Sequence, residues 1–280
     1  MNIPELHYRL HGSARGHFPG AHRSRRGTSG FEFRGHAPLV DLPDVRRLDL
    51  HASLRDPFGQ WLVRVQSERM AIPVAMVADV SASMGFAGAQ RKLDVVADFV
   101  ESLAWSAWRH GDSFGFVAAD DTVRTALLLP QTRSRGAGTT LAQALRAFRP
   151  TGRTALALAD AHRHLTRQRA LLFLVSDFHW PLDHVDLVLD GLVGHDLVPV
   201  VLWQPQEFDL GARRGIADLV DPETGTRRTV WWRPALRARW SAAHAARREA
   251  LMAIFRRRRL APLVLEGGFD ADAVTRHFLA

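Results

Sequence analysis

The chain is expected to fold as an α/β protein: a doubly wound, mostly parallel sheet flanked by helices. A small β-rich module precedes this sheet and a helical elaboration follows it. Three observations lead there. Two apolar runs, "IPVAMVA" at Ile72–Ala78 and "ALLFLV" at Ala170–Val175, lack polar alternation, as strands covered on both faces require. Such runs alternate with stretches of helical period, the pattern of βαβ units. Asp79 directly follows the first run and Asp177 lies just beyond the second. Open α/β sheets bind ligands at such strand ends.

A chain of 280 residues suits one large domain, or one domain with an appendage. Its 46% hydrophobic content supplies a substantial core. The absence of cysteine excludes disulfides, thiolate metal sites and cysteine nucleophiles. The formal charge of +8 comes almost wholly from arginine. The arginines are scattered, so solvated faces are expected and no nucleic-acid partner. Nucleic-acid binding through that arginine surface is the alternative. "MNIPELHYRLHGSARGHF" has no apolar signal-peptide core, and no run reaches the roughly 18 apolar residues of a membrane span. A cytoplasmic protein is expected.

In chain order, residues 1–30 are basic and aperiodic and read as a flexible arm. His7, His11, His17 and His22 lack acidic or cysteine companions and do not predict a metal site. Residues 31–70 form the β-rich module, in which "WLVRVQSE" places Trp61, Val63 and Val65 on one face. Ion pairs among Asp41, Asp44, Asp49, Arg46, Arg47 and Arg55 are expected to lock this module onto the sheet. The α/β domain spans 71–205. Its first helix, about Gln90 to His110, carries Leu93, Val96, Ala97, Val100, Leu103, Ala104 and Ala107 on one stripe. "SFGFVAA" and "VRTALLLP" follow as a strand pair, and "TLAQALRAF" as a short helix. "TALALADAHRHLTRQ" reads as a second helix with Thr154 at its N-cap. After the "ALLFLVSD" strand come a helix near Val185–Leu192 and the strand "DLVPVVLW". Residues 206–280 add a hairpin around Pro222–Gly225, a long helix from Pro234 to Arg259, and a closing strand and helix. The long helix's apolar stripe is Leu236, Trp240, Ala243, Leu251, Ile254 and Phe255. Of Trp231 and Trp232, adjacent on a strand, one is expected in the core.

Asp79 and Asp177 face each other across the crevice at the strand ends. Two buried carboxylates so placed repel, and a cation between them removes the conflict. Asp79, Ser81, Ser83, a threonine and Asp177 offer only hard oxygens, which suits Mg²⁺ or Mn²⁺. The alternate spacing of "DVSAS" puts both serines on the side of Asp79 along an extended loop. With hydroxyls as the main ligands, the ion keeps positive charge with which to hold a partner's carboxylate.

"DVSAS", followed later by "LLFLVSDF", resembles the metal-dependent adhesion site of von Willebrand factor A domains, which have a Rossmann-like fold. The resemblance implies Asp79, Ser81 and Ser83 as first-loop ligands and Asp177 as the later acidic one. Thr154 would be the middle ligand, with Thr139 as runner-up. "RRGTSGFEF", "DVRRLDLHASLRDPFGQWLVR", "ADVSASM" and "LVSDF", in that order, resemble the MoxR-associated, MxaS-like subgroup. Relatives often have Gly-Asp-Asp and Ile-Asp-Trp where this chain has Leu42-Pro43-Asp44 and Leu48-Asp49-Leu50. The subgroup implies a non-catalytic adaptor working with a MoxR-type AAA+ ATPase to mature, or load metal into, a client such as a dehydrogenase.

Enzymatic readings are weaker. Ser176, Asp177 and His179 share one strand end and cannot converge as a triad. There is no Walker A pattern and no first glycine of a nucleophile elbow. Arg133, Arg135, Arg146, Arg149 and Arg153 precede Thr154 and could steer an acidic partner; Arg135, Arg153 and His179 are the rim candidates. "FRRRR" suits a helix C-terminus, where cations meet the negative end of the helix dipole.

Overall fold

The computed structural model describes residues 3–9, 19–23, 32–67, 69–208 and 215–279. They fall into two compact units: Leu10–Ile72 with His110–Asp112, and Met1–Arg9 with Pro73–Arg109 and Ser113–Ala280.

The smaller unit contains β1 (Pro19–Arg23), β2 (Glu32–Pro38), α1 (Leu50–Leu54), β3 (Leu62–Ser67) and β4 (Arg69–Met70). β1 pairs with β4 and β2 with β3, both antiparallel. Asp49 caps α1 by accepting the Ala52 amide at 3.1 Å, and its other oxygen takes Arg64 Nε at 2.7 Å and His36 Nε2 at 3.1 Å. The Arg64 hydrogen bond, helped by Ala52 and His36, holds this carboxyl well below the usual range. Asp44 pairs with Arg47. These pairs lie inside the module, so the lock expected from this charge patch is internal. Val63 is buried, but Trp61 precedes the strand and is 56% exposed, off the face expected for it.

The arm expected over 1–30 falls largely outside the described residues, His11 and His17 included. Its described parts are ordered elements. Residues 3–9 lie on the larger unit. There Leu6 and Tyr8, apolar at alternate positions, are buried, and the Leu6 amide donates to Ser106 Oγ at 2.8 Å. Residues 19–23 form β1.

The larger unit runs β5 (Pro73–Asp79), α2 (Lys92–His110), β6 (Ser113–Ala119), β7 (Leu129–Thr132), α3 (Ala137–Ala147), β8 (Leu171–Ser176), α4 (Leu182–Gly191), β9 (Asp196–Trp203), α5 (Pro205–Phe208), β10 (Gly215–Val220), β11 (Arg227–Trp232), α6 (Pro234–Arg257), β12 (Leu263–Glu266) and α7 (Ala271–Leu279). Six strands form one sheet in the order β12-β9-β8-β5-β6-β7. All neighbours are parallel except β6 and β7. β5 and β8 are buried at every residue, as their unbroken apolar runs dictate. The whole predicted stripe of α2 is buried. Phe99 from that helix meets Phe173 of β8 edge-on at 5.2 Å. From β5 the chain builds β6 and β7 on one side, then returns to lay β8 on the other. The sheet's switch point therefore lies between β5 and β8, side by side in register from Val74↔Leu171 to Ala78↔Val175.

Three elements depart from expectation. "VRTALLLP" begins as a 3₁₀ turn at Thr125–Leu127, and the strand starts only at Leu129, on the sheet edge where Pro130 needs no ladder donor. The helix expected from Thr154 is a 3₁₀ segment, Leu156–His164. Its buried residues Ala155, Leu158 and Ala161 recur every third position, the period at which 3₁₀ side chains eclipse. The stripe expected along α6 is buried only at Leu251, Ile254 and Phe255, whereas Trp240 is 37% exposed. The closing strand β12 joins the main sheet beside β9. Of the tryptophan pair, Trp232 is buried and Trp231 exposed.

Candidate metal centre

Asp79 ends β5 and Ser176 ends the adjacent β8. This register sets Ser176 Oγ against Asp79 Oδ2 at 2.7 Å, while Asp79 Oδ1 accepts the Ser81 amide at 2.8 Å. The Ser176 hydroxyl also accepts the Phe178 amide and Trp180 Nε1, both at 2.9 Å, so its proton must point at Asp79. After Ser81 the chain makes a 3₁₀ turn, Ala82–Gly85, in place of the extended loop expected. The turn still brings the Ser81 and Ser83 hydroxyls within 3.3 Å of each other. Asp79, Ser81, Ser83 and Asp177 are all buried.

The two carboxylates are not equivalent. Burial first, and the charge of Asp177 second, push the Asp79 carboxyl up to about 7. Burial acts on Asp177 in the same direction, but Lys92 and His179 hold it down at about 2. Lys92 Nζ donates to Asp177 Oδ2 at 2.6 Å and to Glu207 Oε2 at 2.8 Å from a fully buried position. Burial alone would lower its pKa; Asp177 and Glu207 instead hold it above the ordinary value. His179 Nε2 pairs with Glu207 Oε2 at 2.7 Å. Burial opposes the charge on His179 too, yet Asp177 and Glu207 raise its pKa.

The 177–180 loop turns its amides inward and its carbonyls outward. The His179 amide donates to Asp177 Oδ1 at 3.1 Å. Outside, Trp203 Nε1 donates to the Asp177 carbonyl at 2.9 Å, and Arg247 donates to the carbonyls of Phe178 and Trp180. This polarity needs a left-handed residue at Phe178, φ 53°, whose ring is held by Trp180 and Phe255.

Asp177, His179 and Glu207 bring ligand atoms within 4.8 Å of one another, which by spacing could hold a metal. Lys92 already sits against the same Asp177 and Glu207 oxygens, so that trio has its cation built in. Asp79 does not. Among the described residues its donors are Ser81 and Ser176, neither of them charged. The oxygens of Asp79, Ser81 and Ser83 are hard donors and fit Mg²⁺ or Mn²⁺.

A close backbone contact holds the serine loop. Ser81 bridges Gly152, whose carbonyl accepts the Ala82 amide at 2.8 Å. A Cβ on Gly152 would lie 2.5 Å from the side chain of Asp120, itself buried and gripped by Arg124. Gly152→Ala is expected to destabilise the protein by about 1–3 kcal/mol through this overpacking. Urea unfolding beside wild type measures it.

Other predicted residues go elsewhere. Thr154 directs its amide and hydroxyl to Asp121 Oδ1, each at 2.9 Å, and is not an N-cap. Thr139 lies within α3. Arg135 stacks over Trp105 and Trp108, 5.1 Å from each ring, so its charge is turned to these aromatics. Arg153 is exposed beside Thr154, and its amide donates to Asp121. His179 belongs to the lysine cluster rather than to a rim. Arg146 pairs with Asp98 and Glu101. Of "FRRRR", Arg256 pairs with Glu249, while Arg257 and Arg258 bind Asp186, and Arg258 also Asp190. Lys92 and Glu207 escaped the sequence reading. A signal for the first exists: Lys92 is the single lysine of this arginine-rich chain.

Among the described residues no helix is long and apolar enough to cross a membrane. The chain is similar to an uncharacterized protein of Paracoccus denitrificans in the moxR 3' region, with 36% identity over 35% of this chain and 94% of that protein. It is also similar to an uncharacterized protein of Mycobacterium tuberculosis, with 28% identity over 85% of this chain and 73% of the other. Among solved structures, BatB from Bacteroides thetaiotaomicron matches 75% of this chain and 98% of its own at 14% identity, with a TM-score of 0.45. An aerotolerance-related membrane protein from Bacteroides fragilis matches 75% and 99% at 16% identity, with a TM-score of 0.44. The family model described as "Protein of unknown function DUF58" matches residues 43–250, and the chain belongs to that family.

Proposed function

We propose that this protein is a non-catalytic adaptor that grips a carboxylate of a protein partner through a divalent cation, in the manner of a von Willebrand A adhesion site. One observation carries the reading: Asp79 is a buried carboxylate at the sheet's switch point, flanked by two serine hydroxyls and served by no cationic side chain among the described residues. Asp79, Ser81 and Ser83 would hold Mg²⁺ or Mn²⁺, and the ion would supply Lewis-acid attraction for an incoming carboxylate. Asp177, already neutralised by Lys92, orients the loop and sets the local field. Ser176 fixes the rotamer of Asp79. Thr154, through lone pairs its bond to Asp121 leaves free, is the remaining candidate oxygen.

The partner we favour is a MoxR-type AAA+ ATPase, with maturation or metal loading of a client protein as the joint task. The Paracoccus relative, whose printed description places it in a moxR 3' region, supports this choice. Co-purification of the tagged protein from its own lysate, in Mg²⁺ and in EDTA, tests it. A MoxR-type ATPase is expected with Mg²⁺ and absent with EDTA or in Asp79→Ala. Equal recovery in all three samples rejects the metal grip.

A further inference from the structure

β10 and β11 form a separate hairpin, paired over six registers from Gly215↔Trp232 to Val220↔Arg227. Its tip, "DPETG", is braced from within. The Asp221 carboxylate accepts the Glu223 amide at 3.0 Å and the Thr224 hydroxyl at 2.8 Å. The Asp221 carbonyl accepts the Gly225 amide at 2.9 Å, and Gly225 takes the left-handed φ of 69° that the turn needs. This bracing aims one side chain, Glu223, away from the hairpin and into the candidate metal centre. Ser83 hydrogen-bonds its carboxyl. Its Oε1 is buried with no hydrogen-bond partner. Burial first, and the Asp177 charge next, bear on this carboxyl. A third carboxylate therefore converges on the serine loop, while the one buried ammonium there is already shared between Asp177 and Glu207.

We propose that Glu223 is a built-in carboxylate ligand of the cation held by Asp79, Ser81 and Ser83, standing where a partner's carboxylate must bind. This rests on the metal-centre reading above. An orphaned buried carboxylate oxygen is costly unless something positive meets it, and the serine hydroxyls leave the ion charge-poor. The hairpin thereby regulates the site. In the resting protein Glu223 completes the coordination; a partner's Asp or Glu displaces it and the tip lifts away. The partner thus competes with an internal residue of its own chemistry, which sets a threshold that stray carboxylates in solution fail to reach.

The test is Mn²⁺ titration of the full chain, followed by water-proton relaxation, for wild type, Glu223→Gln and Asp79→Asn. Glu223→Gln should bind Mn²⁺ about tenfold more weakly, since ligand charge tunes affinity at such sites. Its relaxation enhancement per bound ion should rise, because water takes the vacated position. Asp79→Asn should not bind. Circular dichroism confirms that each variant folds. If Glu223→Gln matches wild type in affinity and relaxation while Asp79→Asn loses the ion, the Glu223 ligand is rejected and the metal centre stands. If wild type itself binds no Mn²⁺, the metal centre falls and the proposal with it.

Discussion

Lys92→Met is expected to destabilise the protein by about 3–5 kcal/mol, the range for removing one partner of a buried ion pair. The ammonium is the counter-charge for both Asp177 and Glu207, and methionine fills its volume without replacing its charge. Lys92→Arg should not restore stability. A guanidinium is a broad planar fork, and a cavity fitted to a compact ammonium has no room for it. Denaturant unfolding in EDTA measures both variants. Added Mn²⁺ should recover part of the loss in Lys92→Met only, because Asp177, His179 and Glu207 then present an uncompensated trio of ligands. As the chain's single lysine, Lys92 also gives one side-chain ammonium signal, which should titrate above the ordinary lysine range.

Asp79→Asn should abolish stabilisation by Mg²⁺, about 2.7 kcal/mol when the ion is at a hundred times its dissociation constant. The same substitution should change the pH dependence of the metal-free protein. In the folded wild type the Asp79 carboxyl titrates near 7, against about 3.9 in an unfolded chain. The stability it contributes is complete below pH ~4 and is lost as pH rises through about 7. Asp177 works in the opposite sense and in a lower window. Its pKa of about 2 contributes stability above pH ~4 that is lost as pH falls towards 2. Thermal unfolding in EDTA from pH 3 to pH 8 should therefore lose only the upper slope in Asp79→Asn. Persistence of that slope would show that Asp79 is not its source.

The sheet was legible because its central strands have no polar interruption: β5 and β8 read directly as "PVAMVAD" and "LLFLVS". Their order and the position of Asp79 followed from the α/β pattern. The helical stripe of α2 was equally plain. What failed were segments whose period is ambiguous over a few residues. Ala155, Leu158 and Ala161 fit either an α-helix or the 3₁₀ turn that forms. In the site, the hydroxyls and carboxylates that follow the strands were readable from spacing alone. Glu207 and Glu223 arrive from α5 and from a hairpin tip, far along the chain, and no local pattern announces them. Lys92 could have been noticed by composition. A chain that uses arginine at every other basic position keeps a lysine where only a small cation fits.

The left-handed backbone at Phe178 bears on how long a grip lasts. A phenylalanine in that conformation costs roughly 1–2 kcal/mol, met here by the packing of its ring on Trp180 and Phe255. The return is a row of peptide dipoles whose positive ends face the anionic pocket. Those partial charges lower the field an incoming cation feels, so the carboxylates attract it without trapping it. An ion in such a screened pocket exchanges with bulk solvent, and a contact made through it dissolves on the same timescale. The backbone turn at one residue thus makes the site a releasable catch, suited to a component that must let go of each partner and engage the next.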